Sequence, residues 1–198
     1  MTTIINLFGG SGVGKSTIAA LLFAHMKMSG CHVELVREYV KLWAWGGRKV
    51  RKEDQIYLLG KQSAYESMLY GKVDYIVTDS PVLLAGVYAE WHNGPDGVYV
   101  TAAADEFISQ AKRTSGVRVH NYLLRRSGFF DPRGRWETAD EAERFDKFLE
   151  QNLMMNGHNY TPIDGSEMDK VVKIMAELGL RSGSGPGPGP LTEVATLP

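Results

Sequence analysis

The chain has 198 residues, of which 43% are hydrophobic and 23% are charged, and this composition excludes a disordered or fibrous protein and fits one globular domain. Its formal net charge of −1 excludes nucleic-acid binding through the charge of the whole molecule, so any such affinity must come from a local patch. Cys31 is the only cysteine, which excludes an internal disulfide and a cysteine-cluster metal site and indicates a reducing compartment.

From the sequence we expect neither an export signal at the start of the chain nor a membrane span. The first ten residues, MTTIINLFGG, contain no cationic segment or cleavage site, and no apolar run approaches the roughly eighteen residues of a membrane span. We therefore expect a cytoplasmic protein with no membrane partner. Residues 181–198 are rich in Gly, Ser and Pro without a periodic apolar face, so we predict a disordered tail after a folded domain of residues 1–180.

Between these limits, short β-rich runs alternate with helical ones. We predict strands at residues 3–8, 32–37, 74–79, 117–124 and 160–164. We predict helices at residues 15–28, 53–70, 82–90, 104–113, 140–155 and 167–178. Five strands separated by helices predict an α/β fold with a parallel sheet covered on both faces. Ligands of such sheets bind beyond the carboxyl ends of the strands.

The first strand end carries the clearest motif of the chain. The segment GGSGVGKST matches the phosphate-binding pattern G-x-x-x-x-G-K-[ST] between a predicted strand and a predicted helix. Backbone N–H groups of such a loop surround phosphate oxygens, and the helix adds the positive end of its dipole. We predict that Lys15 neutralises the β- and γ-phosphates and that Ser16 ligates Mg²⁺. The predicted nucleotide-binding residues are Gly9, Gly10, Ser11, Gly12, Val13, Gly14, Lys15, Ser16 and Thr17.

The ends of the other strands narrow the class of phosphate-binding protein. No N-K-x-D or T-K-x-D guanine motif occurs, and DPRG at 131–134 follows the fourth strand, which is the wrong place for a GTPase switch. The third strand ends in TDSP, without the Asp-Glu pair typical of ATPases that activate water. Asp79 can hold Mg²⁺ through water opposite the phosphate loop. Alternatively, Asp79 caps the helix that follows it.

The segment RRSGFFDPRGR follows the fourth strand and concentrates four arginines, Arg125, Arg126, Arg133 and Arg135, around glycines and a proline. Guanidinium groups on a hinged loop suit the spread-out charge of a phosphoryl-transfer transition state, an arrangement typical of a kinase lid. We predict catalytic roles for Arg125, Arg126 and Arg135. The alternative is a solvated basic loop.

The second strand ends in Arg37-Glu38, at the edge where a phosphoryl acceptor would lie. We predict that Glu38 accepts the proton of an attacking hydroxyl and that Arg37 steadies an anionic group of the acceptor. The alternative for both residues is an ordinary surface charge.

These motifs carry a family resemblance. From Thr3 to about Leu178 the chain resembles P-loop kinases of the thymidylate kinase-like group. The segments ELVREYVK, DQIYLLGKQ, GKVDYIVTDSPVLL and NYLLRR followed by GR are similar to a set of bacteriophage proteins, some of which are regarded as kinases of 5-hydroxymethyluracil within DNA. The resemblance implies a three-layer α/β/α fold with strand order 2-3-1-4-5, ATP and Mg²⁺ as co-reactants, an arginine lid and, for a phage protein, the host cytoplasm.

The resemblance also bears on two site residues. Nucleoside kinases that carry a Glu after the second strand support Glu38 as the base. The chain departs from the family at Asp79-Ser80-Pro81, where many deoxynucleoside and thymidylate kinases have an acidic-Arg-Ser motif, so the usual acceptor-binding arginine is missing.

The segment EYVKLWAWGGRKVRK, which starts at Glu38, indicates the kind of acceptor. It combines two tryptophans with five basic residues, more cations than one mononucleotide phosphate needs. Trp43 and Trp45 can stack on a base, with phosphate contacts from Lys41, Arg48, Lys49, Arg51 and Lys52. A base displaced from a DNA stack would bring its 5-hydroxymethyl group to Glu38. The alternative is an amphipathic helix whose tryptophans are core and whose lysines are solvated.

We therefore expect an ATP-dependent kinase whose acceptor is 5-hydroxymethyluracil in phage DNA. A deoxynucleoside or nucleoside monophosphate kinase is the alternative enzyme, and a P-loop ATPase or switch that binds a partner is the alternative of another class. A homodimer stays open.

Overall fold

The computed structural model describes residues 1–127, 130, 133 and 137–180. Arg135 and the expected tail at 181–198 lie outside the described residues. In chain order the elements are β1 (Thr3–Phe8), α1 (Lys15–Met28), β2 (Val33–Val36), α2 (Lys41–Trp45), α3 (Asp54–Ser67), β3 (Tyr75–Thr78), α4 (Val82–Asn93), a 3-10 turn (Gly94–Gly97), α5 (Val98–Ser115), β4 (Arg118–Leu124), α6 (Ala139–Met155), β5 (Thr161–Ile163) and α7 (Glu167–Glu177).

The five strands form one sheet in the order β2-β3-β1-β4-β5, and every neighbouring pair is parallel. Ile4 of β1 lies opposite Ile76 of β3 on one side and Val119 of β4 on the other. The predicted α/β fold class and its strand order are confirmed. β1 is central, so the loop after it opens in the middle of the sheet edge.

The alternation of β1 side chains explains why helices cover both faces of the sheet. Ile5 and Leu7 pack with residues of α1 and α7, whereas Phe8 packs with residues of α4, α5 and α6. Successive side chains of a strand point to opposite faces, so a strand that is apolar throughout must be covered twice. The central strand is therefore buried on both sides, and the loop that follows it starts from a packed position.

Two helical segments differ from the sequence-based expectation. The helix predicted at 104–113 begins at Val98, because Val100 and Thr101 are buried against α4 in spite of their β-branched side chains. Lys41–Trp45 forms a short helix with no buried residue, so the tryptophans of this segment are not core residues.

In the part of the chain that the structure describes, no helix has the length and apolarity to cross a lipid bilayer.

Candidate phosphate-transfer site

The loop between β1 and α1 has a backbone that requires glycine at several positions. Gly12 has φ 82° and Gly14 has φ 95°, a left-handed region that side chains disfavour. At Gly9, with φ 149°, a Cβ would lie 2.5 Å from Val13 Cγ1. The glycines therefore shape a tight turn whose N–H groups lead into the first turn of α1.

Lys15 is the first residue of α1, and its side chain folds back over the loop. Its Nζ donates hydrogen bonds to the carbonyl oxygens of Gly9, at 2.7 Å, and Gly10, at 3.0 Å. Burial lowers the pKa of Lys15, while the carboxylates of Glu38 and Asp79 act in the opposite direction. The cation thus lies across the loop and within the electrostatic reach of both carboxylates.

Glu38 and Asp79 meet at the ends of the neighbouring strands β2 and β3. The Oδ1 atom of the buried Asp79 accepts a hydrogen bond from the Glu38 backbone N–H at 2.8 Å. Burial raises the pKa of Glu38 and Asp79 raises it further, while Lys15 lowers it. The alternative role of Asp79 as a helix cap is not observed, because α4 starts after Pro81 without a side-chain cap. Three residues predicted from three strand ends therefore share one region.

A cavity of about 980 Å³ opens beside this region. Its wall includes the loop residues Ser11, Gly12, Gly14, Lys15, Ser16 and Thr17. The remaining wall includes Glu38, Lys41, Trp45, Lys49, Gln62, Tyr88, Arg133, Glu137 and Arg144. The phosphate loop and the predicted base therefore face the same space, which has the size of a small-molecule site.

The residues of this region fit a nucleoside triphosphate with Mg²⁺. Within the described ranges, no group of three or more His, Cys, Asp or Glu side chains can hold a metal ion by itself. Magnesium commonly takes one or two protein ligands and completes its shell with phosphate oxygens and water. The Ser16 hydroxyl in the first turn of α1 and the Asp79 carboxylate directly after β3 are oxygen donors that suit that role.

The predicted lid arginines occupy different environments. Both Nη atoms of Arg125 donate to Glu150, at 2.7 and 2.5 Å. Arg126 donates from Nε to Asp146 at 2.6 Å, and Asp146 in turn accepts from the N–H of Gly10. Arg133 lines the cavity. The structure therefore brings Arg126 to the phosphate loop and ties Arg125 to α6, and the predicted role of Arg135 falls outside the described residues.

The two tryptophans predicted to bind an acceptor also differ. Trp45 is 67% exposed and lines the cavity together with Lys41 and Lys49. Trp43 lies between Arg48, whose guanidinium is 3.5 Å from the ring centroid, and Tyr57, whose ring stacks at 6.0 Å. Trp45 therefore has a ring that is open to a ligand, whereas Trp43 belongs to an aromatic cluster.

The remaining acceptor candidates lie outside the cavity wall. Arg48 pairs with Asp54 at 2.9 Å in addition to covering Trp43. The three others, Arg37, Arg51 and Lys52, are exposed. These three side chains are therefore open to solvent and are not part of the cavity lining.

Several residues of the site carry no motif that reveals them in the sequence. Gln62 of α3 is buried, and its Nε2 donates to Thr78 Oγ1 at 3.3 Å. Tyr88 of α4 stacks on Phe145 with ring centroids 4.2 Å apart. Asp146 is one of several carboxylates on α6, and only its position in three dimensions distinguishes it. The helical spacing of these residues indicates which face is buried, but not that this face lines a cavity.

A glycine-rich loop with Lys and Ser, opening on the central strand of a parallel 2-3-1-4-5 sheet, defines a P-loop nucleotide-binding fold. A family model described as AAA domain matches residues 4–170, and the chain belongs to that family. No curated protein matches the chain.

Three solved structures of kinases have a similar fold. Deoxyadenosine kinase from M. mycoides, with dCMP and dCDP bound, is 20% identical with a TM-score of 0.59, and the match covers 90% of this chain and 99% of that one. The same enzyme with dATP bound is 18% identical with a TM-score of 0.57, and the match covers 90% of this chain and 100% of that one. APS kinase CysC from Mycobacterium tuberculosis, in complex with AMPPNP and APS, is 12% identical with a TM-score of 0.51. That match covers 90% of this chain and 98% of the kinase. The likeness at these identities shows the P-loop kinase α/β fold.

Proposed function

We propose that this protein is an ATP-dependent phosphotransferase that carries the γ-phosphate to a hydroxyl acceptor. The observation that carries the proposal is the meeting of Lys15 on the phosphate loop with Glu38 and Asp79. A hydrolytic ATPase needs only water beside its phosphates, whereas this cavity has room for an organic acceptor next to a carboxylate base. The fold shared with deoxyadenosine kinase and APS kinase supports the same class.

Each residue has a defined task in this proposal. Residues Gly9–Thr17 hold the triphosphate, Lys15 stabilises the charge that develops on it, and Ser16 and Asp79 hold Mg²⁺. ATP supplies the phosphoryl group, and Mg²⁺ neutralises its oxygens. Glu38 accepts the proton of the acceptor hydroxyl, a task to which its raised pKa adds basic strength. The hydrogen bond from the Glu38 N–H to Asp79 keeps base and metal ligand in register.

The arginines are assigned by the carboxylates with which they pair. Arg126 contacts the loop region through Asp146, which supports it as the cation for the transferred phosphate. The paired guanidinium of Arg125 favours a structural task, since both its Nη atoms are bound by Glu150. Arg135 stays a prediction.

For the acceptor we propose the 5-hydroxymethyl group of 5-hydroxymethyluracil in DNA. The exposed Trp45 at the cavity offers a surface on which a displaced base can stack, with Lys41 and Lys49 beside it. Arg37, Arg51 and Lys52 add three exposed cations outside the cavity wall, and this number of cations suits a chain of phosphates better than a single phosphate. The stacked Trp43 contributes by supporting this surface.

A deoxynucleoside or nucleoside monophosphate kinase is the second candidate. Its support is the cavity of about 980 Å³, which can enclose a whole nucleotide, and the fold shared with a deoxyadenosine kinase that binds dCMP and dATP. We further propose residues 1–180 as the kinase domain, with residues 181–198 outside it. A homodimer and a cytoplasmic location stay predictions.

The deciding experiment supplies γ-labelled ATP and Mg²⁺ with one acceptor at a time. The panel contains DNA with 5-hydroxymethyluracil, the same DNA with thymine, free deoxynucleosides and nucleoside monophosphates. Label on hydroxymethylated DNA alone supports the DNA acceptor, and label on deoxynucleosides or monophosphates supports the second candidate. Lys15→Ala is the control, because it removes the ammonium group that binds the phosphates and leaves the core residues unchanged. The same labelling by Lys15→Ala would contradict the proposed site.

A further inference from the structure

Asp146 of α6 connects two parts of the site that no motif links. Its Oδ1 accepts a hydrogen bond from the Gly10 backbone N–H at 2.5 Å, and its Oδ2 accepts from Arg126 Nε at 2.6 Å. The Arg126 and Asp146 side chains are 19% and 20% exposed, so the ion pair is largely shielded from water. Hydrogen bonds between charged groups in such surroundings are shorter and stronger than neutral ones.

Gly10 is required here for space rather than for backbone conformation. A Cβ at Gly10 would lie 2.6 Å from Asp146 Oδ1, 3.0 Å from the Ala142 carbonyl oxygen and 3.1 Å from Arg126 Nη2. The phosphate loop, the start of α6 and the Arg126 guanidinium are therefore in direct contact. A shift of Asp146 would move both the loop and the arginine.

One donor of Arg126 is left over in this arrangement. Its Nη2 atom is buried and has no hydrogen-bond partner among the described residues. A buried donor on a charged group is costly when it is unpaired, and this one lies against the phosphate loop. A phosphate oxygen held by that loop is an acceptor of the right charge.

We propose that Asp146 is a positioning residue, which holds Arg126 against the loop so that Nη2 donates to the terminal phosphate of ATP. The proposal rests on the proposed function and adds a residue to it. Asp146 uses its two oxygens for Gly10 and Arg126, so it does not touch the nucleotide. Its effect on phosphate binding passes through the arginine.

The neighbouring arginine supplies a matched control. Arg125 pairs with Glu150, also on α6, but both of its Nη atoms are used in that pair. Tyr160 donates to the same Glu150 at 2.9 Å, and Lys170 donates to the Arg125 carbonyl oxygen at 2.7 Å. Glu150→Gln therefore weakens an arginine–carboxylate pair between the same elements without affecting the phosphate loop.

The test measures the affinities for Mg·ATP and Mg·ADP by calorimetry. In Asp146→Asn one of the two carboxylate oxygens becomes an NH2 group, so one of the two donors, Gly10 N–H or Arg126 Nε, loses its acceptor. We expect the ATP affinity to fall about tenfold, as for the loss of a hydrogen bond to a charged group, while the ADP affinity stays within about twofold. Glu150→Gln should keep the ratio of the two affinities. Asp146→Asn should cause no further loss in an Arg126→Ala background, because both changes remove the same contact.

The outcomes separate the two proposals. Equal losses of ATP and ADP affinity in Asp146→Asn would mean that Asp146 only shapes the loop, which overturns the inference, and unchanged affinities overturn it too. If that variant does not fold in a thermal melt, Arg126→Ala must show the selective loss of ATP affinity by itself. A parent that binds neither nucleotide overturns the proposed function as well. A parent that transfers phosphate, with no selective loss in either variant, overturns this inference alone.

Discussion

Glu66 gives a stability prediction that can be worked out from the structure. This residue of α3 is fully buried, its Oε1 accepts a hydrogen bond from the Tyr70 hydroxyl at 2.7 Å, and its Oε2 is buried without a partner among the described residues. Burial raises the pKa of Glu66 to about 7 from an ordinary value of 4.5. We predict that Glu66→Gln removes a pH dependence of the folding free energy.

The sign and size of this change in folding free energy with pH follow from proton linkage. The folded state binds the proton of Glu66 more tightly than the unfolded state, so folding loses stability as the pH rises from about 4.5 to about 7 and stays level above that. The pKa difference corresponds to about 3 kcal/mol. Glutamine carries no charge, and its Oε1 can still accept from Tyr70. The difference in folding free energy between variant and parent should therefore grow by about 3 kcal/mol in favour of Glu66→Gln between pH 4.5 and pH 8.

Urea denaturation of both proteins across this pH range measures the difference. Glu143 of α6 is exposed, and Glu143→Gln controls for the loss of one formal charge. The control should follow the parent, because its carboxylate stays in water in both states. Parallel curves for Glu66→Gln and the parent would refute the reasoning, since the buried carboxyl would then have the same proton affinity in both states.

The catalytic base, the helix packing and the basic surface give three further predictions. Glu38→Gln should keep the ATP affinity but lower kcat by about 10²–10⁴-fold and abolish the rise in rate with pH, because only the deprotonated base acts. A pH–rate profile that keeps its acidic limb would contradict this role. Gly97→Ala should destabilise the fold by about 1–3 kcal/mol or more, because the added Cβ would lie 2.3 Å from the Ala89 carbonyl carbon. An unchanged melting temperature would refute that contact. Replacing Arg51 and Lys52 with Ala should weaken the salt dependence of single-stranded DNA binding. The slope of log affinity against log salt concentration should become shallower by about 0.7 for each phosphate contact that is lost. An unchanged slope would mean that neither residue contacts the DNA.

Elements whose signals are local could be predicted from the sequence. β1 and α1 have the expected ends, Thr3–Phe8 and Lys15–Met28, because an apolar run, a glycine loop and a Lys-Ser helix start follow one another directly. Glu38 and Asp79 could be placed together because the carboxyl ends of parallel strands share one edge. These predictions needed only the period of each segment and the rule for parallel sheets.

Features that depend on contacts between distant segments could not be predicted. Val98 and Val100 favour a strand by themselves, yet they lie in α5, where Val100 is buried. Nothing local distinguishes Trp45, which is open at the cavity, from Trp43, which stacks on Tyr57. The choice between Arg125 and Arg126 likewise depends on two carboxylates one helical turn apart on α6.

The most direct test of the proposed chemistry compares ADP formation with and without a phosphoryl acceptor. The parent is incubated with ATP and Mg²⁺ alone and with each acceptor of the panel, and ADP, free phosphate and phosphorylated acceptor are quantified together. A kinase with Glu38 beside the acceptor site predicts that ADP forms rapidly only with one acceptor class and in equal amount to the phosphorylated product. ADP formation at the same rate without any acceptor, with all of the γ-phosphate released as free phosphate, would contradict phosphoryl transfer and indicate a nucleotide-operated ATPase or switch.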